Sequence, residues 1–157
     1  RRQRQMCIRD RGTTMKDLYN NIVPEVVMAP IAVTDHTSNQ DIDLAGFNSC
    51  LIAAITGAGD IASPNYMNFR ISHADDDGTG AAGSYSYVED KDLLGAGAVT
   101  DGVPATPLID AIDSVFCIGY VGGKRFLKIE LREAAITNAI IGLFIIKGHP
   151  LDAPAIS

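Results

Sequence analysis

Residues 126–132 read FLKIELR, a stretch in which apolar and charged side chains alternate strictly. In an extended chain, Leu127, Ile129 and Leu131 would project from one face and the charged residues between them from the other. A period of two is the pattern of a β-strand with one face on a core and the other in water. The stretch therefore predicts a half-buried β-strand.

Related patterns recur along the rest of the chain. Residues 67–73, MNFRISH, alternate in the same way, whereas residues 49–56, SCLIAAIT, and 138–147, NAIIGLFIIK, are almost wholly apolar. Continuous apolar runs of this length are typical of buried strands. Further short strands are expected at residues 23–33, 41–44, 85–88 and 114–121. Gly, Pro, Asn and Asp separate these segments, so the sequence predicts an all-β sandwich or barrel of about eight strands.

Two hairpins are expected from the connections between these strands. Residues 122–125, GGKR, separate 114–121 from 126–132, so those two strands are expected to pair with each other. Residues 67–73 and 85–88 are expected to form a second hairpin with a long tip.

Three other segments have less regular predictions. Pro24 and Pro30 interrupt residues 23–33 and remove ladder donors, which predicts a strand at a sheet edge or a bend. Residues 93–107 show no period and are predicted to be a surface loop. Residues 108–112 are expected to start a helical turn.

The length and composition fit one compact unit. The chain has 157 residues, 46% of them apolar, which is enough for a single domain with its own core. Its longest apolar run, residues 139–146, is far shorter than a bilayer-spanning helix, so no membrane partner is expected. The three cysteines are widely separated, and we expect them to be reduced thiols.

Residues 1–14 differ in kind from the rest of the chain. They hold five arginines and one aspartate without apolar periodicity, which would suit a nucleic-acid arm. However, residues 5–11, QMCIRDR, match the translation of a transposon-based sequencing adapter. We expect residues 1–14 to be a non-native segment and the natural chain to begin at Met15, so that residues 15–157 form the single domain.

The remainder of the chain is strongly acidic. The whole sequence has a net charge of −6, and residues 15–157 alone carry about −10. Duplex binding depends on Lys and Arg neutralising phosphates, so free nucleic acid is not an expected partner. A basic protein surface would complement this charge better.

Two glycine-rich stretches suggest nucleotide binding at first sight. Residues 78–83, GTGAAG, match G-x-G-x-x-G, but the strand-like SYSY of residues 84–87 comes next, where a dinucleotide fold needs a helix. Residues 119–124, GYVGGK, lack the first glycine of a phosphate loop and the Ser or Thr after its lysine. No cofactor is therefore expected.

Catalytic and metal sites are not expected either. Asp75, Asp76 and Asp77 could offer oxygens to calcium, but EF-hand spacing is absent, and an Asp-rich turn is the preferred interpretation. No nucleophile elbow or zinc-ligand spacing is present, so we expect no enzyme activity. The histidines and cysteines lie far apart, at His36, His73, His149, Cys7, Cys50 and Cys117.

Five segments together resemble a family of small head-associated proteins of tailed bacteriophages and prophages. The most distinctive are residues 119–127, GYVGGKRFL, and residues 148–154, GHPLDAP. The more generic ones are residues 15–22, MKDLYNNI, 43–47, DLAGF, and 72–76, SHADD.

The resemblance implies a jelly-roll-like β-sandwich that decorates or cements a capsid without enzyme activity. It also implies the phage major capsid protein as partner, a homo-dimer or homo-trimer, and a place on the virion surface after synthesis in the host cytoplasm. The candidate capsid-contact or signature positions are Gly119, Tyr120, Gly122, Gly123, Lys124, Arg125, Gly148, His149 and Pro150.

Two questions stay open, the role of the GGKR segment and the function of the protein. The GGKR segment is either a tight turn that requires glycine, the interpretation we favour, or an exposed contact of Lys124 and Arg125 with capsid acids. The acidic surface and residues 23–33 are further contact candidates. A receptor- or glycan-binding module on the virion surface is the alternative function, because a β-sandwich alone does not select one role.

Overall fold

A computed structural model describes residues 18–33, 37–38, 41–61, 64–134, 136 and 138–151. The expected non-native segment 1–14 and the expected start at Met15 lie outside the described residues, as do His36 and the final residues of the GHPLDAP segment. The described chain contains twelve β-strands and a short 3-10 helix at Asp90–Asp92. The strands are β1 Ile22–Val33, β2 Thr37–Ser38, β3 Ile42–Asp43, β4 Phe47–Gly59, β5 Tyr66–Ala74, β6 Ser86–Tyr87, β7 Leu93–Leu94, β8 Val99–Thr100, β9 Val103–Pro104, β10 Val115–Tyr120, β11 Phe126–Ala134 and β12 Ala139–Pro150.

Two antiparallel sheets make up the sandwich. The first sheet has the order β1-β12-β4-β10-β7, and the second has the order β2-β11-β5-β6 with β3 also paired to β11. Strands β8 and β9 form a separate two-stranded ribbon. No helix in the described part of the chain has the length and apolar character needed to cross a membrane.

The pairing follows the jelly-roll pattern. Strand β1 pairs with β12, β2 and β3 pair with β11, β4 pairs with β10, and β5 pairs with β6. Each pair thus nests inside the previous one, as in a ribbon folded back on itself and wound into two sheets. The expectation of an all-β, jelly-roll-like sandwich is confirmed.

The core lies between the two sheets and follows the alternation of the sequence. Leu127, Ile129 and Leu131 of β11 are buried, and the charged residues between them point outward. Met67, Phe69 and Ile71 of β5 are buried in the same way. The first sheet contributes Ile52, Ile118, Tyr120, Ile141 and Ile145 to the same core, among others.

The hairpin expected between residues 114–121 and 126–132 is wrong. Strand β10 pairs with β4 and β7 in the first sheet, whereas β11 pairs with β5 in the second. Residues 121–125 therefore cross from one sheet to the other. The physical reason lies in the faces: β10 has uncharged residues on both faces and suits β4, while β11 has a charged outer face and suits β5. A short connection does not by itself decide between these arrangements.

Of the other predictions of secondary structure, two are confirmed and two differ from the structure. The hairpin between β5 and β6 is present, with Ser72 opposite Tyr87. Strand β1 lies at a sheet edge and has two register shifts, as its prolines predict. Residues 93–107 contain three two-residue strands within the predicted loop. The helical turn expected at 108–112 is wrong, because Ile109 instead bridges Met67 at the start of β5.

Candidate functional site

The two distinctive sequence segments meet at one end of the sandwich. Residues 121–125 and the segment 44–48 line a cavity of about 330 Å³ there. Pro150 lies opposite Phe47 in the ladder between β12 and β4, and the Leu151 N–H donates to the Gly46 carbonyl at 2.8 Å. The structure therefore brings Gly148, His149 and Pro150 to the same end as the GGKR segment, although more than twenty residues separate them in sequence. We call this region the loop end.

Arg125 ties three parts of the loop end together. Its guanidinium donates to both carboxylate oxygens of Asp43, with Nε–Oδ1 at 2.8 Å and Nη2–Oδ2 at 2.7 Å. Its Nη1 also donates to Asp76. Hydrogen bonding to Arg125 holds the pKa of Asp43 below its ordinary value, against a smaller opposing effect of burial. The fork-like geometry fixes the orientation of the arginine as well as its charge.

Lys124 is paired in a similar way. Its Nζ lies 2.6 Å from Asp75 Oδ2, so both cations of the GGKR segment contact acids of the 75–77 turn or β3. A cation already paired within the chain is less free to bind an outside acid. The pairing therefore argues against a free cationic contact, and the segment itself is a crossing between the two sheets and not the tight hairpin turn that we expected.

Tyr120 organises the crossing from β10 to the next sheet. Its hydroxyl is hydrogen-bonded to His73 Nδ1 at 3.1 Å and accepts the Lys124 N–H at 3.3 Å. Burial raises the pKa of Tyr120 to about 12 and lowers the pKa of His73 below its ordinary value. The phenol is thus protonated and the imidazole neutral at pH 7. The pair acts as a polar link inside the end of the core.

The two glycines of the turn have different roles. A Cβ on Gly122 would lie 2.6 Å from Cζ of Tyr120, so the loop can pass over the tyrosine ring only with glycine at this position. A Cβ on Gly123 would meet nothing within 4 Å. Only Gly122 is required by the geometry, and the reason is close packing on Tyr120. Gly119 lies on β10 beside Leu94.

His149 adopts an unusual backbone conformation next to the loop end. Its φ is 52°, in the left-handed region that non-glycine residues seldom occupy. Its Nδ1 lies 2.6 Å from the Ser49 hydroxyl, and its carbonyl accepts the Asn48 side-chain amide at 3.3 Å. These contacts fix the last turn of β12 against the start of β4, with Gly148 opposite Ser49.

Two carboxylates of the 75–77 turn, those of Asp76 and Asp77, also accept hydrogen bonds from within the turn. Asp76 Oδ1 accepts the backbone N–H groups of Gly78 and Gly80, at 2.7 and 3.0 Å, and Asp77 Oδ1 accepts those of Thr79 and Ala81. The N–H groups of Gly80 and Gly78 lower the pKa of Asp76, and the Thr79 hydroxyl, followed by the Thr79 N–H, lowers the pKa of Asp77. The GTGAAG stretch is the tip of this Asp-rich turn. In the described part of the chain, no three His, Cys, Asp or Glu side chains are grouped to hold a metal ion.

Sequence reasoning does not find one further surface, the outer face of the first sheet. We call it the apolar face and define it by the outward-pointing residues of its five strands. They are Pro24, Val26, Leu51, Ala53, Ile55, Leu94, Val115, Cys117, Ile140, Phe144 and Ile146. The sequence pattern that indicates this face is the continuous apolar run of β4 and that of β12. Such runs are typical of strands covered on both faces.

Comparison with known proteins gives little. No family model and no curated protein matches the chain. Among solved structures, the chain is similar to one described under the words "Bacillus endospore appendages form a novel family of disulfide-linked pili". The sequence identity is 11% and the TM-score 0.40, with 88% of this chain and 99% of the other covered. A similarity this low carries no argument about function.

Proposed function

We propose that the protein is a structural virion protein that binds the outer surface of a tailed-phage capsid and stabilises it. The major capsid protein would be its partner, and the loop end its contact surface. The proposal rests on the sequence resemblance, and the observation that carries it is the convergence of the two signature segments at one rigid end of the sandwich.

The loop end has features that suit docking. Its charged groups are locked in ion pairs between Arg125, Lys124 and the acids around them. A surface held by such contacts changes little on binding, which lowers the ordering cost of association. On a lattice, many such modest contacts at fixed spacing add up through avidity.

Co-sedimentation with capsid shells tests the proposal directly. The full chain is mixed with shells assembled from the major capsid protein encoded on the same contig, before and after shell expansion. We expect saturable binding near a fixed ratio to the capsid subunit. Absence of binding to either form would overturn the proposal, and a glycan screen would then test the receptor-binding alternative.

A pair of variants tests whether shell binding occurs through the loop end. Gly123→Glu places a side chain in open space at the loop end, where a Cβ meets no neighbour. Asn138→Glu adds the same side chain at the exposed, opposite end of β12. We expect Gly123→Glu to weaken shell binding and Asn138→Glu to leave it unchanged. Equal effects of the two variants would contradict a contact through the loop end.

A further inference from the structure

The two outer faces of the sandwich differ in chemical character. On the second sheet, Arg70 lies 3.7 Å from Glu130, and Lys128 lies 3.2 Å from Asp41. Arg70 also lies over the ring of Tyr87. This is the hydrated, charged outer face that an antiparallel sheet in water normally has. The apolar face of the first sheet has no charged residue at the outward positions of β4, β10 or β12.

The apolar face is continuous across the sheet. In the ladder, Ile55 lies between Gly142 of β12 and Val115 of β10, and Ala53 lies between Phe144 and Cys117. Val26 of β1 continues the row beyond Phe144. Several of these side chains are well exposed, including Val26 at 70%, Val115 at 59% and Ile55 at 43%. Ala53 is itself buried, and the exposed side chains lie around it on β1, β4, β10 and β12.

A shallow hollow lies on the β1 side of this surface. It has a volume of about 240 Å³ and lies between β1, β12 and β4. Gly142 forms its floor, where a Cβ would come within 3.0 Å of the Pro30 ring. The hollow is lined by Val26, Met28, Pro30, Ile55, Gly142, Leu143 and Phe144. The surface therefore has relief into which apolar side chains can insert.

The size of the face suits a protein partner. Four strands spaced about 4.8 Å apart, with about five residues of about 3.4 Å along each, and the two-residue strand β7 give a flat footprint of roughly 350 Å². The side chains make the real area larger. A stable dimer buries about 800 Å² on each copy, with an apolar core and a polar rim. The apolar face has the size and composition of such a core.

We propose that a second copy of this chain covers the apolar face. The acidic surface of the protein repels other copies wherever charges meet, and this face is the charge-free region where two copies can approach. A partner chosen by charge complementarity would instead bind the acidic surface. Closed symmetric assemblies of identical chains are also the commonest way to bury such a face. This inference does not depend on the capsid proposal.

The oligomeric state of the full chain is the first measurement, by sedimentation velocity and light scattering over a dilution series. We expect a closed oligomer, a dimer or a trimer. Val115→Glu and Ile55→Glu place a charge on the apolar face at exposed positions and should each yield monomers. Asn68→Glu, outward on β5 opposite Arg132, is the matched control and should leave the oligomer intact. Far-UV circular dichroism verifies that each variant is folded.

Cys117 gives a readout that does not depend on variant folding. Its side chain is exposed on a single chain, whereas Cys50 is buried and its pKa is raised to about 12 by burial. In a Cys7→Ser background, Cys117 is the thiol that should report on the face. Because protection follows the population of dissociated chains, we expect Cys117 to react at least about tenfold more slowly in the oligomer than in the Val115→Glu monomer.

The outcomes separate clearly. An oligomer that dissociates with Val115→Glu, together with protection of Cys117, supports the proposal. A monomer with freely reactive Cys117 would overturn it, and so would an oligomer that neither face variant affects. If the protein is monomeric and Val115→Glu abolishes shell binding, the face belongs to the capsid contact and the second copy is excluded. If both face variants unfold, the mass and Cys117 reactivity of the parent chain decide.

Discussion

Tyr120 and His73 join the two sheets through one hydrogen bond, 3.1 Å between the phenol oxygen and Nδ1. Tyr120 belongs to β10 of the first sheet and His73 to β5 of the second, and both are almost fully buried. Their aromatic rings meet nearly edge to face. A polar link in this position fixes how the sheets are aligned at the loop end, which apolar contacts alone do less well.

The neutral state of His73 makes stability depend on pH. Its pKa is lowered from 6.5 mainly by burial, with Lys124 acting in the same direction and Asp92 against it. The unfolded chain therefore takes up the proton first as pH falls, and the stabilisation present above pH 6.5 is lost at lower pH. We expect Tm to fall between about pH 7.5 and about pH 5, with a smaller fall in His73→Gln. His149→Gln is the control, and an equal slope in both variants would contradict the prediction.

Removal of the phenol oxygen tests the inter-sheet link. Tyr120→Phe leaves the ring in place but deprives the Lys124 N–H and His73 Nδ1 of their partner. Buried polar groups left unpaired cost about 1–3 kcal/mol each, so we expect a loss of this order in urea unfolding. Tyr87→Phe, at a half-exposed position, should change stability by less than about 0.5 kcal/mol. A Tyr120→Phe protein as stable as the parent would show that the link contributes nothing.

Substitution of the adjacent glycines Gly122 and Gly123 is expected to change stability in different ways. Gly122→Ala forces a methyl group against Tyr120 and should destabilise by about 1–3 kcal/mol. Gly123→Ala meets open space and should be neutral or stabilise by up to about 1 kcal/mol, because it restricts the unfolded chain. Thermal unfolding of both variants measures the difference. Similar effects at the two positions would mean that the contact with Tyr120 is not what requires glycine.

Arg125 is expected to control the ionisation of Asp43. Without the guanidinium, the pKa of Asp43 should rise toward its ordinary value of 3.8, because the hydrogen bonds from Arg125 are the largest influence that lowers it. Stability that depends on this ion pair is present above pH 3.8 and is lost as pH falls below it. Carboxyl titration by NMR in Arg125→Ala measures the shift. Lys124→Ala, which removes the Asp75 contact, should leave Asp43 unchanged, and a shift of the same size there would argue for a general loss of structure.

The sequence predicted the strands better than their partners. Alternation at residues 126–132 and 67–73 identified β11 and β5, because the period of two is a local property. The pairing of β10 with β4 depends on the outer faces of whole sheets, and the four residues of the GGKR turn do not encode it. The same limit applies to the loop end. Gly122 was singled out as a turn glycine, but its contact with Tyr120 exists only after the chain has crossed between sheets.

The candidate residues were found more readily than their relationships. Lys124 and Arg125 were visible as cations, yet their acidic partners come from β3 and the 75–77 turn, far away along the chain. The apolar face was encoded in β4 and β12 as runs without alternation. Such runs indicate that a strand is covered on both faces, but they do not indicate what covers it.

The edges of the sheets set a limit on how copies of the protein can grow into larger structures. Pro24 and Pro30 deny backbone donors to the long edge strand β1, whose register shifts bend it further from a straight template. The strands at the other edges, β7, β2 and β6, have two residues each, and β7 pairs with Gly119 and Tyr120 of β10. A chain this rich in apolar strands would otherwise be prone to fibril formation by strand addition. The prolines of β1 therefore disfavour growth by strand addition at the long edge of the first sheet.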